Sequence, residues 1–99
     1  MSVNIDLSIH IEQLSSPDEA DAVEVAVQEV LKEHRIDSWM YVGVFHNPPW
    51  VKVSSEHGPI IVRGFGEWST TFERDITAAI RGVAPEAHID LEWGYPDER

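Results

Sequence analysis

The side chains able to do chemistry in this chain are 5 histidines, 18 carboxylates and a scatter of serines. Cysteine is absent, which removes thiolate nucleophiles, thiolate metal sites and disulfides. His10, His88, Asp90 and Glu92, with Glu12, form the group to weigh first. Imidazole and carboxylate together suit a divalent transition metal or acid–base work. None of them stands in a local ligand spacing such as HxxxH, so their convergence depends on distant strands becoming neighbours. No metal and no cofactor is assigned to them. Ser8 and His10 share a strand face, but alternate strand residues stand about 7 Å apart (two rises of about 3.3 Å), too far for a direct nucleophile–base hydrogen bond. His46 and His57 fall at turn signals and read as loop residues. The balance is against catalysis, and no catalytic residue is assigned.

The stretch "RGFGEWSTTFERD", from Arg63 to Asp75, places two glycines ahead of a helix, as a phosphate-binding loop does. It is not GxxxxGK[ST], it lacks the third glycine of a dinucleotide fingerprint, and Glu67 opposes an incoming phosphate. The better reading is a strand-to-helix connector using the freedom of Gly64 and Gly66, with Phe65 or Trp68 packed under the helix. Thr70 and Glu73 then make a capping box, with Ser69 as the alternative cap.

The remaining chemical signal is aromatic. Four tryptophans occur in 99 residues. Tryptophan and tyrosine are enriched at binding hot spots. Trp39, Tyr41, Phe45, Trp50 and Trp68 are the candidate partner-binding residues, and His10, His88, Asp90 and Glu92 the candidate polar or ligand groups.

These residues need elements to position them. "VNIDLSIHIEQL" alternates: Val3, Ile5, Leu7, Ile9 and Ile11 on one face, Asn4, Asp6, Ser8, His10 and Glu12 on the other, which predicts a half-buried strand. Ser16, Pro17 and Glu19 write the start of a helix, and Val23, Ala26, Val27, Val30 and Leu31 its apolar stripe. "SWMYVGVF" predicts a second strand, with Met40, Val42 and Val44 inward and Trp39, Tyr41 and Phe45 outward. "HNPPW" breaks it. "WVKVSS" is a third strand, and after the turn signal "EHGP" the segment "IIVR" is either a further strand or its continuation past a kink. Phe72, Ile76, Ala79, Ile80 and Val83 form the stripe of a second helix, ended by "GVAP". "AHIDLEW" is a last strand with Ala87, Ile89, Leu91 and Trp93 inward, and "GYPDER" a polar tail.

The order β-α-β-β(-β)-α-β predicts an α+β, ferredoxin-like split βαβ sandwich, with two helices on one face of an antiparallel sheet. The whole chain, 1–99, is a single domain. Its first and last strands are expected to be neighbours.

Seven basic against 18 acidic residues give a net charge of −11. Such a field disfavours nucleic acid and anionic membranes and favours basic protein partners or cations. No segment has the roughly 20 apolar residues of a membrane helix. The N-terminus lacks the basic and apolar regions of a signal peptide, so the expected location is cytoplasmic. The expectation is a non-catalytic, acidic protein-interaction module using its open sheet face and adjacent loops. Its partner is a second copy or a basic protein, as for an inhibitor of the immunity-protein type. The alternative is a dimeric small-ligand-binding protein or enzyme, with a pocket on that face lined by Trp39, Tyr41 and Phe45 and served by His10 or His88.

Overall fold

The computed structural model describes residues 2–55, 60–63 and 65–94. Along the chain run β1 (Ser2–Glu12), α1 (Pro17–Glu33), a 3-10 turn (Asp37–Trp39), β2 (Tyr41–His46), β3 (Pro49–Ser54), β4 (Ile60–Arg63), α2 (Phe65–Val83) and β5 (His88–Gly94). All strand pairs are antiparallel. β1 is the hub: it pairs with β5 through residues 6–12, with β3 through 8–11 and with β4 through 2–5. β2 pairs with β3.

The alternation of β1 decides which face is covered. Ile5, Leu7, Ile9 and Ile11 are at most 1% exposed. Against them pack Val51 and Val53 of β3, Ala20, Val23, Val27, Val30 and Leu31 of α1, and Phe72, Ile76 and Ile80 of α2. Side chains of this size each contribute about 1.5–3 kcal/mol when fully buried, so the shared core explains why both helices lie on one face. The other face carries the even-numbered residues of β1 and has no helix on it among the described residues.

Helix α1 begins as its sequence indicates. Ser16 Oγ accepts from the Glu19 N–H at 3.2 Å, while Glu19 Oε1 accepts from the Ser15 N–H at 3.0 Å, one residue before the cap. It ends with two reversed hydrogen bonds, Ile36 N–H to the Leu31 carbonyl at 3.0 Å and Arg35 N–H to the Lys32 carbonyl at 3.1 Å. That pattern places Arg35 in the left-handed region, at φ 60°, and buries Ile36 beside Leu31.

Three expectations change. The second strand starts at Tyr41, not Ser38, because residues 37–39 wind into the 3-10 turn. Trp39 therefore does not point outward from a strand; it packs, half-buried, against the core. Helix α2 starts at Phe65, ahead of the expected cap. The hydroxyls of Ser69 and Thr70 donate back to the Gly66 carbonyl at 3.2 and 3.0 Å, so both residues lie inside the helix. Gly66 is thus a first-turn helical residue facing open space, and not part of a loop. The packing of Phe65, the conformation of Gly64, the turn "EHGP" with His57, and the tail after Gly94 lie outside the described residues.

The segment "IIVR" proves to be a strand of its own. Continued in register, the β3 ladder would place residue 60 opposite Ser2, but Arg63 stands there. "HNPPW" is a tight hairpin in which only Asn47 and Pro48, joined by a cis peptide bond, lie between the strands. Pro49 is the first residue of β3, where the missing N–H is tolerated.

Candidate functional site

The candidate site is built on the open face by cross-strand register. Phe45 of β2 lies directly opposite Trp50 of β3, and their rings stack at 4.4 Å with planes 8° apart. Trp50 in turn receives the ring of His10 from β1, edge to face at 5.7 Å. Tyr41 and Gly43 share the outward side of β2 with Phe45. A Cβ on Gly43 would come within 2.9 Å of the Tyr41 ring, so that ring leans along the strand into the space glycine leaves. The result is a strip of rings, Tyr41, Phe45, Trp50 and His10, running across three strands. Tyr41 and Phe45 remain 41% and 42% exposed. Stacked cross-strand pairs contribute roughly 0.5–1.5 kcal/mol beyond area burial. That holds the strip in one geometry without covering it.

Beside the strip the face turns acidic. β5 does lie next to β1, and the register sets Asp90 opposite His10, Glu92 opposite Ser8 and His88 opposite Glu12. The exposed carboxylates Asp6, Glu12, Asp90 and Glu92 share this half of the face, and Lys52 lies opposite His10 on the β3 side. Among the described residues no group of three histidines and carboxylates is arranged to hold a metal ion. A depression of about 350 Å³ opens between these strands, lined by Asp6, Ser8, Lys52, Ser54, Ser55 and Glu92 with Trp93 and Gly94 at one end. The Ser54 hydroxyl is buried there without a hydrogen bond among the described residues. Of the expected polar residues, only Glu92 lines it; His10, His88 and Asp90 do not.

Trp68 belongs elsewhere. On the covered face its ring stacks on Phe72 at 5.2 Å and meets Trp93 edge-on at 5.6 Å, and His34 of α1 closes on Phe72 at 5.2 Å. The polar atoms of this second cluster are tied down. His34 Nε2 pairs with Asp75 Oδ2 at 3.0 Å, and the Trp93 indole N–H donates to Glu73 Oε1 at 2.6 Å. Trp68 thus braces α1 against α2 and β5. The candidate partner-binding residues divide into Tyr41, Phe45 and Trp50 together on the open face, and Trp39 and Trp68 packed against the core.

Gly43, Lys52 and Ser54 escaped the reading of the sequence. Their positions follow only once β2, β3 and β1 are aligned. The signal available was period-two counting forward from Trp50, which puts Lys52 and Ser54 on the same face.

No protein-family model matches the chain, and no curated protein matches it. Among solved structures, a de novo designed protein with a ferredoxin fold, determined by solution NMR, is similar to it. The TM-score is 0.53 at 13% identity, over 92% of this chain and 84% of the designed one. At that identity the likeness concerns the fold alone. With the two helices packed on one face of the antiparallel sheet, it establishes an α+β, ferredoxin-like architecture. No helix among the described residues is long and apolar enough to cross a membrane.

Proposed function

We propose that the protein is a non-catalytic interaction module that binds a basic protein partner through its open sheet face. The observation that carries this reading is the strip of Tyr41, Phe45 and Trp50, held in register, with Trp50 half-buried and Tyr41 and Phe45 left exposed beside carboxylates. Rigid aromatic rings with an apolar body and a polar tip are what protein interfaces concentrate at their centres. The flanking Asp6, Glu12, Asp90 and Glu92, within a net charge of −11, favour a cationic partner and speed its approach. Small size and strong acidity suit an inhibitor of a cationic protein, in the manner of an immunity protein, acting in the cytoplasm.

The test is a comparison of baits. Wild type, Trp50→Ala and Val25→Ala are immobilised and exposed to the source proteome at low and high salt; Val25 is 59% exposed on α1 and is not part of the strip. A basic protein retained by wild type and Val25→Ala, lost with Trp50→Ala and released by salt, is the expected result. A partner held equally by all baits at all salt concentrations would sink the reading.

A second reading, a small-ligand protein, is favoured by the open-face depression and its buried Ser54 hydroxyl. Its ligand would be polar and would sit against Ser8, Ser54 and Lys52. It would not be enclosed by Trp39, Tyr41 and Phe45. Saturable shifts of the Ser8 and Ser54 amide resonances in a fragment titration would promote it.

A further inference from the structure

Among the described residues, β2 pairs only with β3, and β4 and β5 only with β1, so each of these three strands has an unpaired edge. A free edge is a row of backbone donors and acceptors ready to accept another strand, and proteins normally blunt it with charge, proline or a bulge. β5 is blunted in this way: Asp90 and Glu92 alternate along it, exposed. β2 is not. Its sequence, YVGVFH, contains no carboxylate, no lysine or arginine and no proline.

The sequence of β2 is also close to a palindrome about Gly43. Reading outward in both directions gives valine, then an aromatic ring: Val42 and Val44, Tyr41 and Phe45. An antiparallel copy centred on Gly43 would set Tyr41 opposite Phe45, Val42 opposite Val44, and Gly43 opposite Gly43. A two-fold interface needs this kind of self-complementarity, because each residue meets the symmetry mate of its partner. The inward Val42 and Val44 pack against the core but remain only partly buried, which a neighbouring strand would complete. On the open face, Tyr41 of the second copy would extend the Trp50–Phe45 stack across the junction. No like charges would meet along the strand. At its end, Asp21 of α1 is already hydrogen-bonded to His46 at 2.9 Å.

We infer that the protein forms a two-fold dimer by antiparallel pairing of β2 with β2 about Gly43, joining two sheets into one. This goes beyond the proposed function, since it concerns the sheet edge and a second copy of the chain. The two readings fail separately. Binding of a basic partner weakens with salt, whereas association of two chains of charge −11 strengthens with salt as their repulsion is screened.

Sedimentation velocity on the wild-type chain should give a dimer at micromolar concentration, tighter at higher salt. Two double variants probe the register: Tyr41→Lys with Phe45→Lys, and Tyr41→Glu with Phe45→Glu. Each places like charges directly opposite one another across the two-fold, and its dissociation constant should rise at least about tenfold. Circular dichroism checks that both fold. Mixed together, they set lysine opposite glutamate, and a heterodimer should form. A wild-type monomer throughout the concentration range overturns the inference. So does a dimer that survives both double variants, or a mixture that stays monomeric.

Discussion

Two clusters of similar composition sit on opposite faces of one sheet. Phe45, Trp50 and His10, with Tyr41 alongside, occupy the open face; Phe72, Trp68, Trp93 and His34 occupy the covered one. Ring geometry does not separate them, since each contains a stacked pair and an edge-on histidine. Polar atoms do. On the covered face, His34 has Asp75 and the Trp93 indole has Glu73. On the open face, neither the His10 ring nor the Trp50 indole makes a hydrogen bond among the described residues. A polar group satisfied from within serves the fold, and one left in water is available to an incoming partner. The same residue types therefore act as brace in one place and as contact surface in the other.

The sharpest way to break this comparison is to remove one phenyl ring from each cluster. Phe72→Ala should cost about 3–5 kcal/mol in denaturant unfolding, because Phe72 is 0% exposed and its loss leaves a cavity. Phe45→Ala should cost less than about 1.5 kcal/mol, the range of one aromatic pair, since that residue is already 42% exposed. Equal losses would remove the distinction between the clusters.

A subtler probe is Trp93→Phe. It keeps most of the ring contact but deletes the N–H donated to Glu73, and should cost about 1–2 kcal/mol. Trp50→Phe, with no such bond to lose, should be within about 0.5 kcal/mol of wild type. Thermal midpoints of the pair settle the matter. At the α1 terminus next to His34, Arg35→Gly should stabilise the protein by about 1 kcal/mol, because arginine at φ 60° carries a steric cost that glycine does not. A loss of stability there would mean that the Arg35 side chain contributes more than its backbone costs. Smallest of all, coupling in a double-mutant cycle of His34→Ala and Asp75→Ala should be about 1 kcal/mol, against less than about 0.5 kcal/mol for His10→Ala and Trp50→Ala.

Much of the covered side was legible in the sequence, because burial imposes a period that can be counted. Ile5 to Ile11 at every second position, and the Ser16–Pro17–Glu19 start of α1, lead directly to a strand and a helix of the observed kind. The start of α2 was not legible. Ser69 and Thr70 have the side chains of a cap, and whether they cap or bond back to Gly66 depends on the turn before them already being helical. Trp39 was misplaced for a related reason: a single 3-10 turn has too few residues to show a period of its own. The open-face site was half legible. Alternation put Tyr41 and Phe45 outward, but the contact of Phe45 with Trp50, and that of Trp50 with His10, required the registers of the β2, β3 and β1 strands. Those registers are fixed by a two-residue hairpin and a core that no local window contains.

The hub position of β1 has a consequence for the order of events during synthesis. β1 is made before every strand it pairs with, and Glu12 meets His88 only after both helices and three intervening strands have emerged. Its inward Ile5, Leu7, Ile9 and Ile11 must wait in the nascent chain through that interval. Long-range pairings of this kind close late and slow the search for the native state. The alternating Asp6, Ser8, His10 and Glu12 therefore have an earlier task than forming a face of the folded protein. They keep the first strand hydrated, and out of pairings with other chains, until its last neighbour arrives.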